Sequence, residues 1–282
     1  MPRAIGNDLA ELFGFAPDDR TEQARIQWKS QQCPFVPGTC IKHSHPRAGQ
    51  APSIFGTCSV KNGGPRRPAE EVILCPQRLY FDNYAILRAC GYDAWNTGME
   101  IISANHQDRV RNLSDKGAPF GVLFGTKSGS EVKLRGTVSV SLDWVLAKIT
   151  GTKLESLIPI EVQSIDITGN YHACWEAYRD ELDEIPDSKH GMNWANVWKR
   201  LIPQILLKGA IAGNSKLCTN GIFFVLPDRV YQQFEKVVGH VNQVQGPAVE
   251  GVLTIMTYDL DGPVDPGNIR GISRKRLIRM RL

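Results

Sequence analysis

The chain has 282 residues, 42% of them apolar and 22% charged, with a formal net charge of +4. That length suits a full core plus one appended subdomain, and the composition is that of a folded globular protein. No apolar run approaches membrane-spanning length, and the opening MPRAIGNDLAELFGF lacks the basic and long apolar regions of a secretory leader. The expectation is a cytoplasmic protein whose seven cysteines stay reduced.

Residues 6–30 read as helical, with Asn7 and Asp8 as caps and Leu9, Leu12 and Phe13 along one face. Residues 1–32 are therefore expected to form an N-terminal helical arm. Residues 33–75 are rich in Pro and Gly and poor in periodic apolar positions. Such a segment cannot bury enough surface to fold alone. It holds Cys33, Cys40, Cys58 and Cys75. A tetrahedral four-cysteine metal site would supply the missing folding energy, although no C-x₂-C pair is present. Four free buried thiols are the alternative, and His43 and His45 are rival ligands.

Residues 79–90, LYFDNYAILRAC, read as a helix that Gly91 would cap. MEIISANHQDRV reads as a second amphipathic helix, with Glu100 as an extra acid. PFGVLFGTKSGSEVKL reads as two strands around a turn, with Glu131 and Lys133 on one face. The turn lacks the G-x₄-G-K-[ST] spacing and a following helix, which argues against nucleotide hydrolysis.

The run GTVSVSLDWVLAKITGTKLESLIPIEVQSID, residues 136–166, is the chemical centre of the sequence. Val138, Val140 and Leu142 alternate with polar residues up to Asp143; Ile158, Ile160 and Val162 alternate with Pro159, Glu161 and Gln163. Alternation of period two predicts two half-buried strands. If they pair side by side, Asp143 meets Glu161, and Gln163 shares the face of Glu161. Two carboxylates at a sheet end suit Mg²⁺.

Beyond Asp166, YHACWEAYRDELDEI predicts a helix whose buried stripe is Tyr171, Cys174, Trp175, Tyr178 and Leu182. Asn193 is expected to cap a helix in which Trp194, Val197, Trp198, Leu201 and Ile205 face the core, kinked at Pro203. Cys218 falls in a polar turn as a free thiol. Gly221 to Leu226 reads as a strand buried on both faces, Asp228 as the cap of the next helix, and Val252 to Tyr258 as another strand. This order predicts an α/β architecture with a mixed central sheet flanked by helices. Arg270, Arg274, Lys275, Arg276, Arg279 and Arg281 crowd the end without an acid, suiting either a polyanion or a solvated face.

Asp143 followed by Glu161-x-Gln163 resembles the PD-(D/E)XK nuclease core, in which the usual form is Glu-x-Lys. The strings CPFVPGTCIK, GTCSV, ILCPQRLYFDN, LDWVLAKI, IPIEVQSID, NWANVWKRLIPQILLKG and GIFFVLP resemble, in order, the NotI family of type II restriction endonucleases. The resemblance implies a Cys₄ subdomain at 33–78, with Cys33, Cys40, Cys58 and Cys75 holding one iron or zinc, and a nuclease core at 79–282. It implies Asp143, Glu161 and Gln163 as the catalytic set, with Mg²⁺ on Asp143, Glu161 and the carbonyl of Val162. It also implies a homodimer cutting double-stranded DNA at a short GC-rich palindrome, beside a cognate DNA methyltransferase. Arg66, Arg67 and Arg78 are candidate guanine readers. A non-enzymatic DNA-binding protein, a repair or phage nuclease and a protein-interaction domain with a structural metal remain open alternatives.

Overall fold

The first strand falls where the sequence reads as helix. A computed structural model describes residues 8–43, 53–64, 67–125, 132–134, 140–169, 171–186, 188 and 191–282. In it Leu9–Leu12 form strand β1, with every residue buried. Phe13 and Gly14 turn the chain at φ 48° and 85°, and Pro17 follows, so no helix can run through. Helix α1, Glu22–Ser30, starts later, where the Thr21 side chain accepts from the Ala24 amide.

The chain divides into two compact units, each discontinuous: 1–83, 164–196 and 258–273 in one; 84–163, 197–257 and 274–282 in the other. This division cuts across the three consecutive segments expected. In the first unit β1 pairs antiparallel with β2, Thr57–Gly64, which pairs antiparallel with β3, Arg67–Ile73. The cysteine-bearing segment therefore has a sheet, and Val60, Val72, Ile73 and Leu74 give it a core. The ring of Trp175, on helix α4 (His172–Arg179), meets Phe13 at 5.2 Å and Trp28 at 5.7 Å. Tyr171, Cys174, Trp175 and Tyr178 are buried as their spacing predicts, whereas Leu182 lies beyond the helix and is exposed.

A buried ion pair sits at the centre of this unit. Arg78, in the 3₁₀ turn Pro76–Tyr80, donates to Glu11 through Nε at 2.9 Å and Nη2 at 3.0 Å. Nη2 also reaches the Arg270 carbonyl at 2.6 Å, and Ser59 Oγ donates to Glu11 at 2.8 Å. The guanidinium lies over the rings of Phe35 and Phe81, at 4.8 and 5.4 Å. Both charged side chains are fully enclosed, so Arg78 is not a guanine reader in this conformation. Of the other two candidates, Arg66 and the side chain of Arg67 lie outside the described residues.

The second unit is built on a seven-stranded sheet. Its remaining elements are α2 (Phe81–Trp95), β4 (Ile101–Ser103), α3 (Gln107–Lys116), β5 (Pro119–Gly125), β6 (Val132–Leu134), β7 (Val140–Leu142), β8 (Trp144–Thr150) and β9 (Lys153–Val162). A π turn (Val197–Leu201), α5 (Ile202–Gly213), β10 (Ile222–Pro227), α6 (Asp228–Val238), β11 (Val252–Leu260) and β12 (Ile272–Arg281) follow. The strand order is β12-β11-β10-β9-β8-β5-β4; β8 runs antiparallel to both its neighbours, β5 and β9, while β10 runs parallel to β9. The mixed sheet with flanking helices is the α/β architecture the element order predicts. All of β10 is buried, as befits a central strand covered on both faces. Gly221 enters it at φ +68°, where a Cβ would lie 1.9 Å from the Val252 carbonyl oxygen, so no other residue fits.

Several local expectations change. Gly91 is no cap: α2 continues to Trp95, and the glycine lets the helix approach Leu146 and Ile101, whose side chains would lie 2.6 and 2.7 Å from an added Cβ. Cys90 is wholly buried in that helix. β5 and β6 do not pair with each other; β6 pairs with β7. Asp228 does not cap α6 but accepts from Thr257 Oγ1 at 2.6 Å, Gln232 Nε2 at 2.8 Å and Arg276 Nε at 2.8 Å. The basic C-terminal run is edge strand β12, and three of its arginines or their neighbours are engaged: Arg270 with Glu71, Arg276 with Asp228 and Arg279 with Asp93. Among the described residues no helix is long and apolar enough to cross a membrane.

Truncating one partner of a fully buried ion pair strands the other charge, at a cost of about 3–5 kcal/mol. Arg78→Ala should therefore lower the urea midpoint of the first unit strongly, while Arg78→Met with Glu11→Leu should cost less than Arg78→Ala. Equilibrium unfolding of the three proteins checks this.

Candidate active site

The strand that brings Asp143 to Glu161 is not the alternating run before Asp143 but the one after it. β7 ends at Leu142 in its own two-stranded ribbon, and β8 begins at Trp144. Trp144 lies opposite Ile160 in the antiparallel register of β8 and β9. Asp143 and Glu161 are the next positions outward on each chain. The two acids exchange contacts across the gap: the Asp143 amide donates to Glu161 Oε1 at 3.1 Å, and the Val162 amide donates to Asp143 Oδ2 at 3.0 Å.

β9 is not half-buried as its alternation predicts. Residues 158–162 are enclosed on both faces, and Glu161 has no exposed surface. Helix α5 closes over its polar face. Lys208 Nζ donates to Glu161 Oε2 at 2.5 Å, and Gln163 Nε2 donates to Gln204 Oε1 at 2.9 Å. The pairing follows from two repeats of similar length: residues two apart on a strand and four apart on a helix both stand about 6 Å apart. Lys208 is itself only 8% exposed. It is the member of this cluster that the sequence reading misses, since a lone lysine among apolar helix residues has no motif around it.

Burial pushes the Glu161 carboxyl up to about 7, and the neighbouring Asp143 charge adds to the shift while Lys208 opposes it. Once Glu161 ionises, two carboxylates share this site with one ammonium, and a further cation would relieve the excess negative charge. Among the described residues no group of three or more His, Cys, Asp or Glu side chains is gathered to hold a metal. Two carboxylates nevertheless fit Mg²⁺, which binds through one or two of them and fills its remaining positions with water and phosphate oxygens.

Of the other expected participants, those described do not join this site. Glu100 precedes β4 in an exposed loop, not a helix, and pairs with Arg109. Glu131 and the side chain of Lys133 lie outside the described residues, as does His45. His43 forms an isolated bridge with Ile54.

In the first unit, burial raises the thiols of Cys58 and Cys75, and takes Cys40 to about 12. Charge on Cys75 or Cys33 adds to the rise at Cys40, charge on Cys75 or Cys40 to that at Cys58, and charge on Cys33 to that at Cys75. The Lys42 amide donates to Cys40 Sγ at 3.4 Å, and the amides of Gln77 and Arg78 favour the thiolate of Cys75. Backbone donors of this kind stabilise metal-bound thiolates, so the donor chemistry fits a soft divalent ion although the sulfurs are not gathered as a ligand set. Cys90, Cys174 and Cys218 are buried thiols elsewhere in the fold.

Comparison with protein-family models finds no match, and comparison with curated proteins finds none either.

The raised carboxyl has a pH signature. Folded Glu161 holds its proton up to about 7, against an ordinary 4.5, so its contribution to stability is full below 4.5 and is lost as pH rises through 7. The loss should approach about 3 kcal/mol. Between pH 4.5 and 7 the wild-type chain should lose stability relative to Glu161→Gln, measured by urea unfolding of both across that window.

Proposed function

We propose that this chain is a Mg²⁺-dependent DNA phosphodiesterase of the type II restriction endonuclease kind, built on a PD-(D/E)XK core. The observation that carries the reading is the meeting of Asp143 and Glu161 across the β8–β9 register, with Lys208 on the buried carboxylate. The mixed sheet, the acids on adjacent strands, and the helix and strand that follow support it by occurring in the expected order.

Asp143, Glu161 and the carbonyl of Val162 would hold the ion. When bound, Mg²⁺ lowers the pKa of a water and offsets negative charge on the phosphate undergoing attack. Lys208 supplies, from the helix, the positive charge that the strand lacks at Gln163. Its bond to Glu161 fixes the orientation of that carboxylate. Gln163, held by Gln204, keeps its carbonyl oxygen and one amide hydrogen for a water or a phosphate oxygen. It can orient a nucleophile but cannot take its proton.

The same reading assigns Cys33, Cys40, Cys58 and Cys75 to one structural iron or zinc. It makes double-stranded DNA with a short GC-rich palindrome the substrate, a homodimer the cutting species with each protomer cutting one strand, and a DNA methyltransferase the companion activity.

Incubation with plasmid DNA and Mg²⁺ should give discrete bands whose mapped ends define one recognition sequence. Asp143→Ala and Glu161→Ala should each slow cutting by about 10³-fold or more while DNA binding persists. A smear, or a Glu161→Ala protein that cuts at the wild-type rate, would overturn the assignment. For the cysteines, elemental analysis of purified protein should find one iron or zinc per chain. Cys75→Ser should lose that metal and melt at a lower temperature.

A further inference from the structure

Helix α5 reverses the usual order of a surface helix. Its two polar side chains, Gln204 and Lys208, stand four apart and turn inward to Gln163 and Glu161. The opposite face is Pro203, Leu206, Leu207, Ala210 and Gly213, at helical spacing and exposed. Leu206 is 65% and Leu207 46% exposed, whereas Ile205 and Ala212 are buried. Between Arg200 and Lys216 the one charged side chain is Lys208, and Glu161 holds it. A helix ordinarily shows its polar face to water, and one that is apolar nearly all round is covered on both sides.

The apolar face extends past the helix. Leu282 is 49% exposed, and its Cδ1 would lie 2.6 Å from a Cβ on Gly209, so its side chain rests against α5. The π turn ahead of α5 also puts Trp198 outside. Pro203 has no amide hydrogen to return to the carbonyl of Lys199, so the turn before it widens. Trp198 thereby leaves the core stripe its spacing predicts and stands exposed. Without counting Trp198, the leucines, Pro203 and Ala210 present roughly 400 Å² of apolar surface, in the range of a monomer's largest patch, which is often functional. A standard interface takes about 800 Å² from each partner, a little over half of it apolar. The face therefore matches most of the apolar area that one partner of a stable dimer contributes.

Three features favour a second copy of this chain as the cover. The face carries no charged side chain, so it meets its own copy without like-charge repulsion across the centre. Ala210 and Gly213 let two such helices approach to about 8 Å. A single patch that is apolar throughout is self-complementary about a two-fold axis. We propose that α5 packs on α5 of a second copy, leucine face to leucine face. This names the surface of the homodimer in the nuclease reading, and the surface stands if that reading falls. Each Glu161–Lys208 pair then lies on the inner side of a helix whose outer side is the interface.

The test is sedimentation of the full chain without DNA or metal, over about 0.1–50 µM, since interfaces of this size hold from micromolar to picomolar. The wild type should be a dimer. Leu206→Glu and Leu206→Lys should each weaken it by about tenfold or more, because each sets like charges against each other in the centre of the contact. Mixed in equal amounts, the two variants should associate again, which a self-contact through this position allows and a contact elsewhere does not. Lys199 and Lys216 flank the face, so added salt should tighten the wild-type dimer. Leu206 is exposed, so both variants should keep the wild-type circular dichroism spectrum. A wild-type monomer throughout the range overturns the proposal, as does a dimer indifferent to both substitutions or a mixture that stays monomeric. A chain that dimerises through Leu206 but never cuts DNA sinks the nuclease reading and leaves the contact standing. A chain that cuts DNA while its dimer ignores Leu206 does the reverse.

Discussion

The meeting of the two acids depends on one register. With Trp144 opposite Ile160, the residues just beyond are Asp143 and Glu161, each holding a backbone amide on the other's strand. Side chains alternate along a strand, so a slip of one residue would turn Glu161 away from α5 and leave Lys208 facing an apolar neighbour. Seven consecutive pairs join β5 to β8, and β10 holds the other flank of β9, with Phe224 opposite Glu161. The register is thus fixed from both sides by strands that are largely apolar and buried.

Keeping a carboxylate in such a place is costly. Burial favours its neutral form, and the neighbouring acid adds to that preference. Lys208 offsets part of the penalty, because a buried ion pair recovers much of the desolvation energy that a lone charge forfeits. The arrangement carries one ammonium for two acids. The Glu11–Arg78 pair in the other unit differs. There the partners are matched one to one, the guanidinium has one further acceptor in the Arg270 carbonyl, and aromatic rings cover it, which is how a structural pair is made.

The sequence made the acids legible because their apolar neighbours recur at period two, and because the strand-then-helix order has few topological solutions. Its misreadings have physical causes. Leu9, Leu12 and Phe13 are spaced for a helical face, but Leu9 and Leu12 also fill a strand buried on both sides with Phe13 in the turn after it, and only Gly14 and Pro17 hint at the difference. Trp198 fits a 3.6-residue stripe that a π turn does not obey. Lys208 reaches Glu161 across 47 residues of sequence, and no local pattern encodes a contact made by two elements folding onto each other. The flanks of β9 matter too: alternation predicts one wet face, whereas α5 covers it and turns a solvated acid into a buried one.

Strand β12 ends the large sheet, and an end strand offers its free backbone groups to any passing chain. Here that margin carries Arg274, Lys275 and Arg281 beside the paired Arg276 and Arg279, and like charges meeting between copies discourage edge-to-edge stacking. It also shields β11, whose first seven residues are all buried. A version of the protein shortened before Ile272 would present that oily ribbon to solvent, and it would be expected to precipitate before any question of catalysis could be asked.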